Sequence, residues 1–255
     1  TLKIIKKKKI IATLVNLRLS PKSLKKWQLI PSFYNNLLNS FSDIFAQSII
    51  DRDRIKLLSN KKIKFIGNLK LSMTINDENK NLHQNNIYQN NIVNIMLSST
   101  HSNEEEKLVP IIKKLINEYK KLRIFIAPRH PNRAEEIVSL CLLNNLPSQL
   151  ESENNSNSKK IVVINSFGIL EKYFIKSDIV FLGGSLVPAG GHNPIEPAIH
   201  KCAILTGPQI FNWENIYSEM LDKSACIKIA SIEDFNITLK DLLRNKNKIE
   251  ILKNN

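Results

Sequence analysis

The sequence has 255 residues, 42% of them hydrophobic, so it can build one large or two modest cores and is too apolar to stay disordered. Its 37 basic residues against 23 acidic give a formal net charge of +14 and a pI near 9.6, a balance that suits anionic partners. The three cysteines, Cys141, Cys202 and Cys226, stand far apart without CxxC spacing, which argues against a disulfide framework or a zinc site and for a reducing compartment.

No apolar run approaches the roughly 20 residues of a bilayer span. The first residues show no signal-peptide layout and read as the middle of a longer protein. Residues 10–15 are apolar and β-branched and predict a buried strand; residues 23–41 carry helix-spaced apolar positions and predict one helix. A strand at 44–47, a charged helix at 51–58 and a strand at 64–66 follow, ending at Gly67 and Asn68. This order predicts half of an α/β domain with a parallel sheet over residues 1–75. Residues 76–91 turn polar and Asn-rich and are read as a linker.

From residue 92 the alternation is clearer. A strand at 92–97 leads through the small polar loop Ser98, Ser99, Thr100, His101 to a helix at 103–122, with Asn103 as N-cap and Glu104, Glu105 and Glu106 in the first turn, where the helix dipole favours acids. Pro110 is expected to kink that helix. Strands follow at 123–127, 161–164, 179–182, 203–205 and 226–229, with helices at 133–144, 169–175, 194–200 and 213–221 and another from 231. Residues 148–160 are expected to be a surface insertion. The pattern predicts a doubly wound α/β domain over 92–255, whose ligands sit outside the carboxyl ends of its strands.

The loop 183–193 is the richest stretch. Four of the seven glycines lie within nine residues, allowing backbone to approach a ligand and N–H groups to point inward. It leads into a helix start with Asn193 as N-cap, Pro194 at the first position and Glu196 at the third, an arrangement that binds anions. Glu196 has two readings, as a helix cap or as acceptor of paired sugar hydroxyls. His192 is expected to be exposed to a cleft, or to be a hydrogen-bonded structural histidine. Arg129, between Pro128 and His130-Pro131, offers a planar fork for phosphate, or else simply caps the sheet end. Ser98, Ser99, Thr100 and His101 offer hydroxyls and backbone donors at a strand end, or else are a plain helix entry. Lys70 could stabilise developing negative charge or be one more solvated lysine.

These residues resemble the 3-deoxy-D-manno-octulosonic acid (Kdo) transferases of lipopolysaccharide synthesis. The likeness runs through LVNLRLSPKS (14–23), AQSIIDRDR (46–54), GNLK (67–70), SSTHSNEE (98–105), APRHPNR (127–133) and FGIL (167–170). It is longest in SDIVFLGGSLVPAGGHNPIEPA (177–198), continued by TGPQIFNWENI (206–216). The resemblance implies a GT-B glycosyltransferase with two Rossmann-like domains and parallel sheets, the first incomplete and the second binding CMP-Kdo. It implies inverting transfer of Kdo to lipid IVA, with no metal or other cofactor for donor binding. Pro128 and Arg129, then Phe167, Gly168 and Ile169, then Asn193, Pro194, Ile195 and Glu196 would hold CMP. Glu196 would take the ribose hydroxyls, Arg129 the phosphate, and Lys70 would steady charge near the transition state.

Two features depart from the family pattern. Its Gly-Glu-Leu stands here as Gly168-Ile169-Leu170, with the nearest acid at Glu171, and no residue matches its general base, a glutamate expected upstream of Thr1. The expectation is therefore a fragment or a decayed gene that binds donor without transferring it. The membrane anchor would also lie upstream, and this part would sit peripherally on the anionic cytoplasmic face of the bacterial inner membrane. Two alternatives are a GT-B enzyme for another nucleotide sugar and a non-catalytic nucleotide or anionic-lipid binding module. Nucleic acid is not expected as a partner, since no aromatic single-strand platform or DNA-reading motif is present.

Overall fold

A computed structural model describes residues 2–8, 10–67, 92–153 and 159–255. The chain divides into two compact units, residues 1–74 and 75–255. In the first, helix α1 (Leu2–Lys7) precedes β1 (Thr13–Leu17), α2 (Pro21–Trp27), α3 (Pro31–Leu38), β2 (Asp43–Ala46), α4 (Ile49–Lys56) and β3 (Lys64–Phe65). The strands pair in parallel in the order β1-β2-β3. Leu19, Tyr34, Leu38, Ile44, Ala46, Ile55, Leu58 and Ile63 form its core.

Two expectations for this unit are corrected. The single helix read over 23–41 is two helices, because Pro31 opens α3 and its ring disfavours helical backbone at Ile30, which lies at φ −137°. The strand expected at 10–15 starts only at Thr13, with Ile10 and Ile11 exposed. The expected linker, 76–91, lies outside the described residues, as does Lys70.

Among the described residues the second unit has seven parallel strands: β4 (Val93–Thr100), β5 (Leu122–Pro128), β6 (Ser148–Leu150), β7 (Ile161–Val163), β8 (Ile179–Leu182), β9 (Ala203–Thr206) and β10 (Cys226–Lys228). Their order is β10-β9-β8-β4-β5-β7-β6. Successive side chains enter opposite layers, the period-two signature of a strand covered on both faces. Ile95, Leu97, Ile124, Ile126, Ile179 and Phe181 pack on one side beneath α5 (Glu105–Glu118), α6 (Ala134–Leu143), α10 (Ile232–Arg244) and α11 (Lys246–Asn254). Met96, Phe125, Val180, Leu182 and Ile204 pack on the other with Tyr173 and Phe174 of α7 (Leu170–Lys176) and Tyr217 of α9 (Glu214–Asp222). Helix α8 (Ile195–Ile199) connects β8 to β9.

Here too the structure corrects details. Ser148–Leu150 is an edge strand paired with β7, so the expected insertion at 148–160 is partly sheet; three polar-rich residues carry no periodicity from which to read it. Strand β4 continues through Ser98 and Thr100, both buried, with an irregularity at Ser99, whose φ is +56°. Helix α5 runs through Pro110, its sixth residue, which removes one backbone bond without ending the helix.

Candidate functional site

Strand β4 has β5 on one side and β8 on the other, and the chain reaches them in opposite directions, which makes the carboxyl end of β4 a topological switch point. The loops after β4, β5 and β8 therefore gather at one edge. They carry His101, Arg129 and the glycine-rich run 183–193, as the sequence anticipates.

The glycine-rich loop is organised by a residue whose role was not anticipated. Glu104 is fully buried. Its Oε2 accepts from the backbone N–H of His101 (2.9 Å) and Gly184 (2.7 Å), and its Oε1 from Ser185 (3.1 Å) and Leu186 (2.9 Å). Asn103 is not the expected N-cap: it sits at φ +69°, turning the chain so that Glu104 points into the loop. The first-turn acid is thus a loop anchor, and the amides of 184–186, expected to face a ligand, already face an internal carboxylate. Three successive donors converging on one anion form the nest that such glycine-rich turns make.

The glycines serve close backbone contact as much as openness. A methyl group at Gly183 would lie 2.6 Å from the Ser99 carbonyl oxygen, and one at Gly207 would lie 2.4 Å from that of Ser185. Ser185 Oγ donates to the Leu182 carbonyl (2.5 Å) and accepts from the Gly207 N–H (2.8 Å). Asn212 Nδ2 donates to the Ala189 carbonyl (2.7 Å) and the Tyr217 hydroxyl to that of His192 (3.0 Å). The loop is therefore fastened to the segment after β9 along its length.

His192 is half-buried, correcting the expectation of an exposed side chain. Its Nε2 lies 2.8 Å from Nε2 of His101, with the rings stacked at 5.1 Å, so one ring must donate and the other accept. Burial, then the neighbouring His101 and Arg129, push the His192 imidazole down to about 4. Burial also lowers His101, against the pull of Glu104 and with His130, Arg129 and Arg133 adding to the depression. Arg129 itself is exposed; its backbone N–H donates to the Thr100 carbonyl (2.9 Å), and Pro128 before it is buried at the end of β5. Its turn is braced by Arg133, which pairs with buried Glu105 at 3.0 Å.

Asn193, Pro194, Ile195 and Glu196 form a compact entry to α8. Asn193 Oδ1 accepts from the Ile195 N–H (3.1 Å), and its Nδ2 donates to Glu196 Oε1 (2.8 Å). The expected helix start is thus modified: Pro194 precedes the helix, and Glu196 meets the Asn193 side chain. A carboxylate held at one oxygen by a neutral amide stays oriented for further donors.

Phe167, Gly168 and Ile169 follow β7. Phe167 is 81% exposed, Gly168 lies at φ +76°, and Ile169 packs on the core beneath. Glu171, the displaced acid, lies 3.7 Å from Nε2 of His200 at the end of α8. The three cysteines are buried and free. Among the described residues no helix is long and apolar enough to cross a membrane.

The parallel sheets, the alternating helices and the site at the switch point define a glycosyltransferase fold of the GT-B type. A UDP-N-acetylglucosamine 2-epimerase of solved structure shares it at a TM-score of 0.60, 15% identity and coverage of 99% of this chain and 62% of that one, a likeness of fold alone. Within that class the chain is similar to Kdo transferases along nearly its whole length. Residues 1–73 match the family described as 3-deoxy-D-manno-octulosonic-acid transferase (kdotransferase). The enzyme of that name from Rickettsia typhi is 32% identical over 243 residues, 93% of this chain and 52% of the relative, and that from Haemophilus influenzae is 28% identical over 94% of this chain and 58% of the relative. The chain spans about half the length of these relatives. The crystal structure of the C-terminal CMP-Kdo binding domain of WaaA from Acinetobacter baumannii matches at a TM-score of 0.63 and 29% identity, covering 69% of this chain and 92% of that domain.

Proposed function

We propose that this chain binds CMP-Kdo as the donor side of an inverting Kdo transferase whose acceptor is lipid IVA, working at the anionic cytoplasmic face of the inner membrane. Residues 92–255 would form the donor domain, 76–91 the linker and 1–75 the acceptor-side remainder. The observation that carries this reading is the match of 92% of a CMP-Kdo binding domain, in a chain whose Arg129 and Glu196 stand at the switch-point edge.

Each role follows from what the side chains have free. Arg129 is exposed and its fork suits a phosphate. Glu196, steadied by Asn193, suits the two ribose hydroxyls. Phe167 offers an uncovered ring and Gly168 the turn behind it, while Pro128, Pro194 and Ile195 set the positions of their neighbours. Departure of the nucleotide builds negative charge, which Lys70 and Arg129 would offset. An inverting transfer also needs a base for the acceptor hydroxyl, and none of these donor-side residues is placed in that role.

Calorimetric titration with CMP and with UMP tests the reading. CMP should bind more tightly than UMP, and Arg129→Ala and Glu196→Gln should each weaken CMP by about ten- to a hundredfold, the worth of a charge-assisted hydrogen bond. Equal affinity for both nucleotides, or variants indistinguishable from wild type, would refute it. Multiple turnovers of Kdo transfer by the 255-residue chain alone would refute the binding-only part.

A further inference from the structure

Four N–H donors from two separate loops converge on one fully buried carboxylate, which is more than a first-turn acid needs. We propose that Glu104 is the positioning residue of the nucleotide site, locking the turn after β4 and the loop after β8 into the one arrangement that presents His192, Asn193 and Glu196.

The inference rests on the nucleotide-binding reading and deepens it. Oxygen Oε2 bridges the two loops directly, taking the N–H of His101 from one and of Gly184 from the other. Oxygen Oε1 takes Ser185 and Leu186, so the loop cannot slide along the carboxylate without losing a bond. The result reaches the far end of the loop, because Gly191 donates to the Gly184 carbonyl at 2.9 Å and His192 follows immediately. The contact of His192 with His101 at 2.8 Å closes the same ring of interactions from the other side. A glutamine of the same shape cannot substitute: it has one carbonyl oxygen, and its NH2 would confront two N–H donors with no acceptor. Buried donors left unpaired would pull the loop toward water.

Glu104→Gln, assayed in the full chain, tests this with two readouts. One is calorimetric CMP affinity; the other is the nitrogen NMR signals of the His101 and His192 imidazoles without nucleotide, which report whether the two rings still share a hydrogen bond. CMP affinity should fall by at least about tenfold while circular dichroism stays native, as expected when charge-assisted bonds are lost from a retained fold. The shared-proton signature should disappear. Formate added to Glu104→Ala should restore part of both, since a small anion can refill the nest. Wild-type affinity with wild-type imidazole signals in Glu104→Gln would overturn the proposal. Should that variant fail to fold, Glu104→Asp keeps the charge but draws it back by one methylene, and wild-type CMP affinity there would overturn it equally. If the wild-type chain does not bind CMP, the nucleotide reading falls, and the imidazole signals alone decide the positioning role.

Discussion

Each unit ties a loop at the carboxyl edge of its parallel sheet to a helix start through a buried acid, and the two ties differ in kind. In the first unit Asp51, in the opening turn of α4, accepts from the Leu19 N–H after β1 (2.9 Å) and from its own N-cap Ser48 (2.6 Å). The bonds join two neighbouring strands' loops and go no further. In the second unit Glu104 takes four backbone donors, and the loop it anchors carries the residues proposed to meet the nucleotide. The shorter acid holds a fold together, whereas the longer one, reaching across a switch point, shapes a site. The cores differ as well. Around the first sheet Ile10, Ile11, Leu29, Phe33 and Leu57 lie exposed on the loops and helices, whereas the strands of the second are buried between two helix layers. The exposed apolar side chains of the second unit, such as Leu143 and Phe167, lie outside the strands.

The largest expected effect sharpens the contrast of cores. Phe181, fully buried and edge-on to Phe235 at 5.1 Å, should cost about 3–5 kcal/mol when changed to Ala, read as a lower urea midpoint of the second unit. Conversely, native-state hydrogen exchange should release the amides of β1 and β2 before those of β4 and β5; simultaneous release would break the comparison.

Next in size is Gly207→Ala. Its methyl would meet the Ser185 carbonyl, a backbone atom that cannot rotate aside, so a loss of about 1–3 kcal/mol is expected together with weaker CMP binding. Asp51→Asn should cost a similar amount, about 1–3 kcal/mol, by removing charge-assisted acceptance of the Leu19 N–H, but should leave CMP affinity unchanged. A loss of affinity in Asp51→Asn would contradict the division between a structural and a site-shaping acid.

The smallest effect is one of pH. His192 titrates near 4 in the folded state against an ordinary 6.5, so between those values the folded chain holds fewer protons than the unfolded one. Stability present above pH 6.5 is therefore lost as the pH falls toward 4. After allowance for the solvent on its half-open side, the loss is about 1 kcal/mol. His192→Asn should flatten that part of the stability–pH curve, and an unchanged curve would show that burial does not hold the imidazole neutral.

Much of the second unit was legible because its strands are short apolar runs separated by turn signals, and β8 at Ile179–Leu182 falls where the pattern put it. Strand β6 was not, because its three residues owe their conformation to pairing with β7. Within the candidate site, Arg129 stood out by its residue type between flanking prolines, and His192 with the path from Asn193 to Glu196 by the glycines beside them. The partnership of His101 with His192 joins positions 91 apart in sequence, and that of Glu104 with Gly184 joins positions 80 apart, so no local spacing could announce either. The one available hint was Asn103 before three glutamates, which was read as a cap because that is its commoner use.

By itself the sequence determined the alternation of strands and helices and the chemical types gathered in the loops, since periodicity and glycine placement are local properties that survive without neighbours. Only the tertiary structure decided which acid serves which partner. Whether a glutamate in a first turn faces water, a dipole or another loop's amides depends on what the sheet order brings beside it, and the order β10-β9-β8-β4-β5-β7-β6 puts the loop after β8 against Glu104.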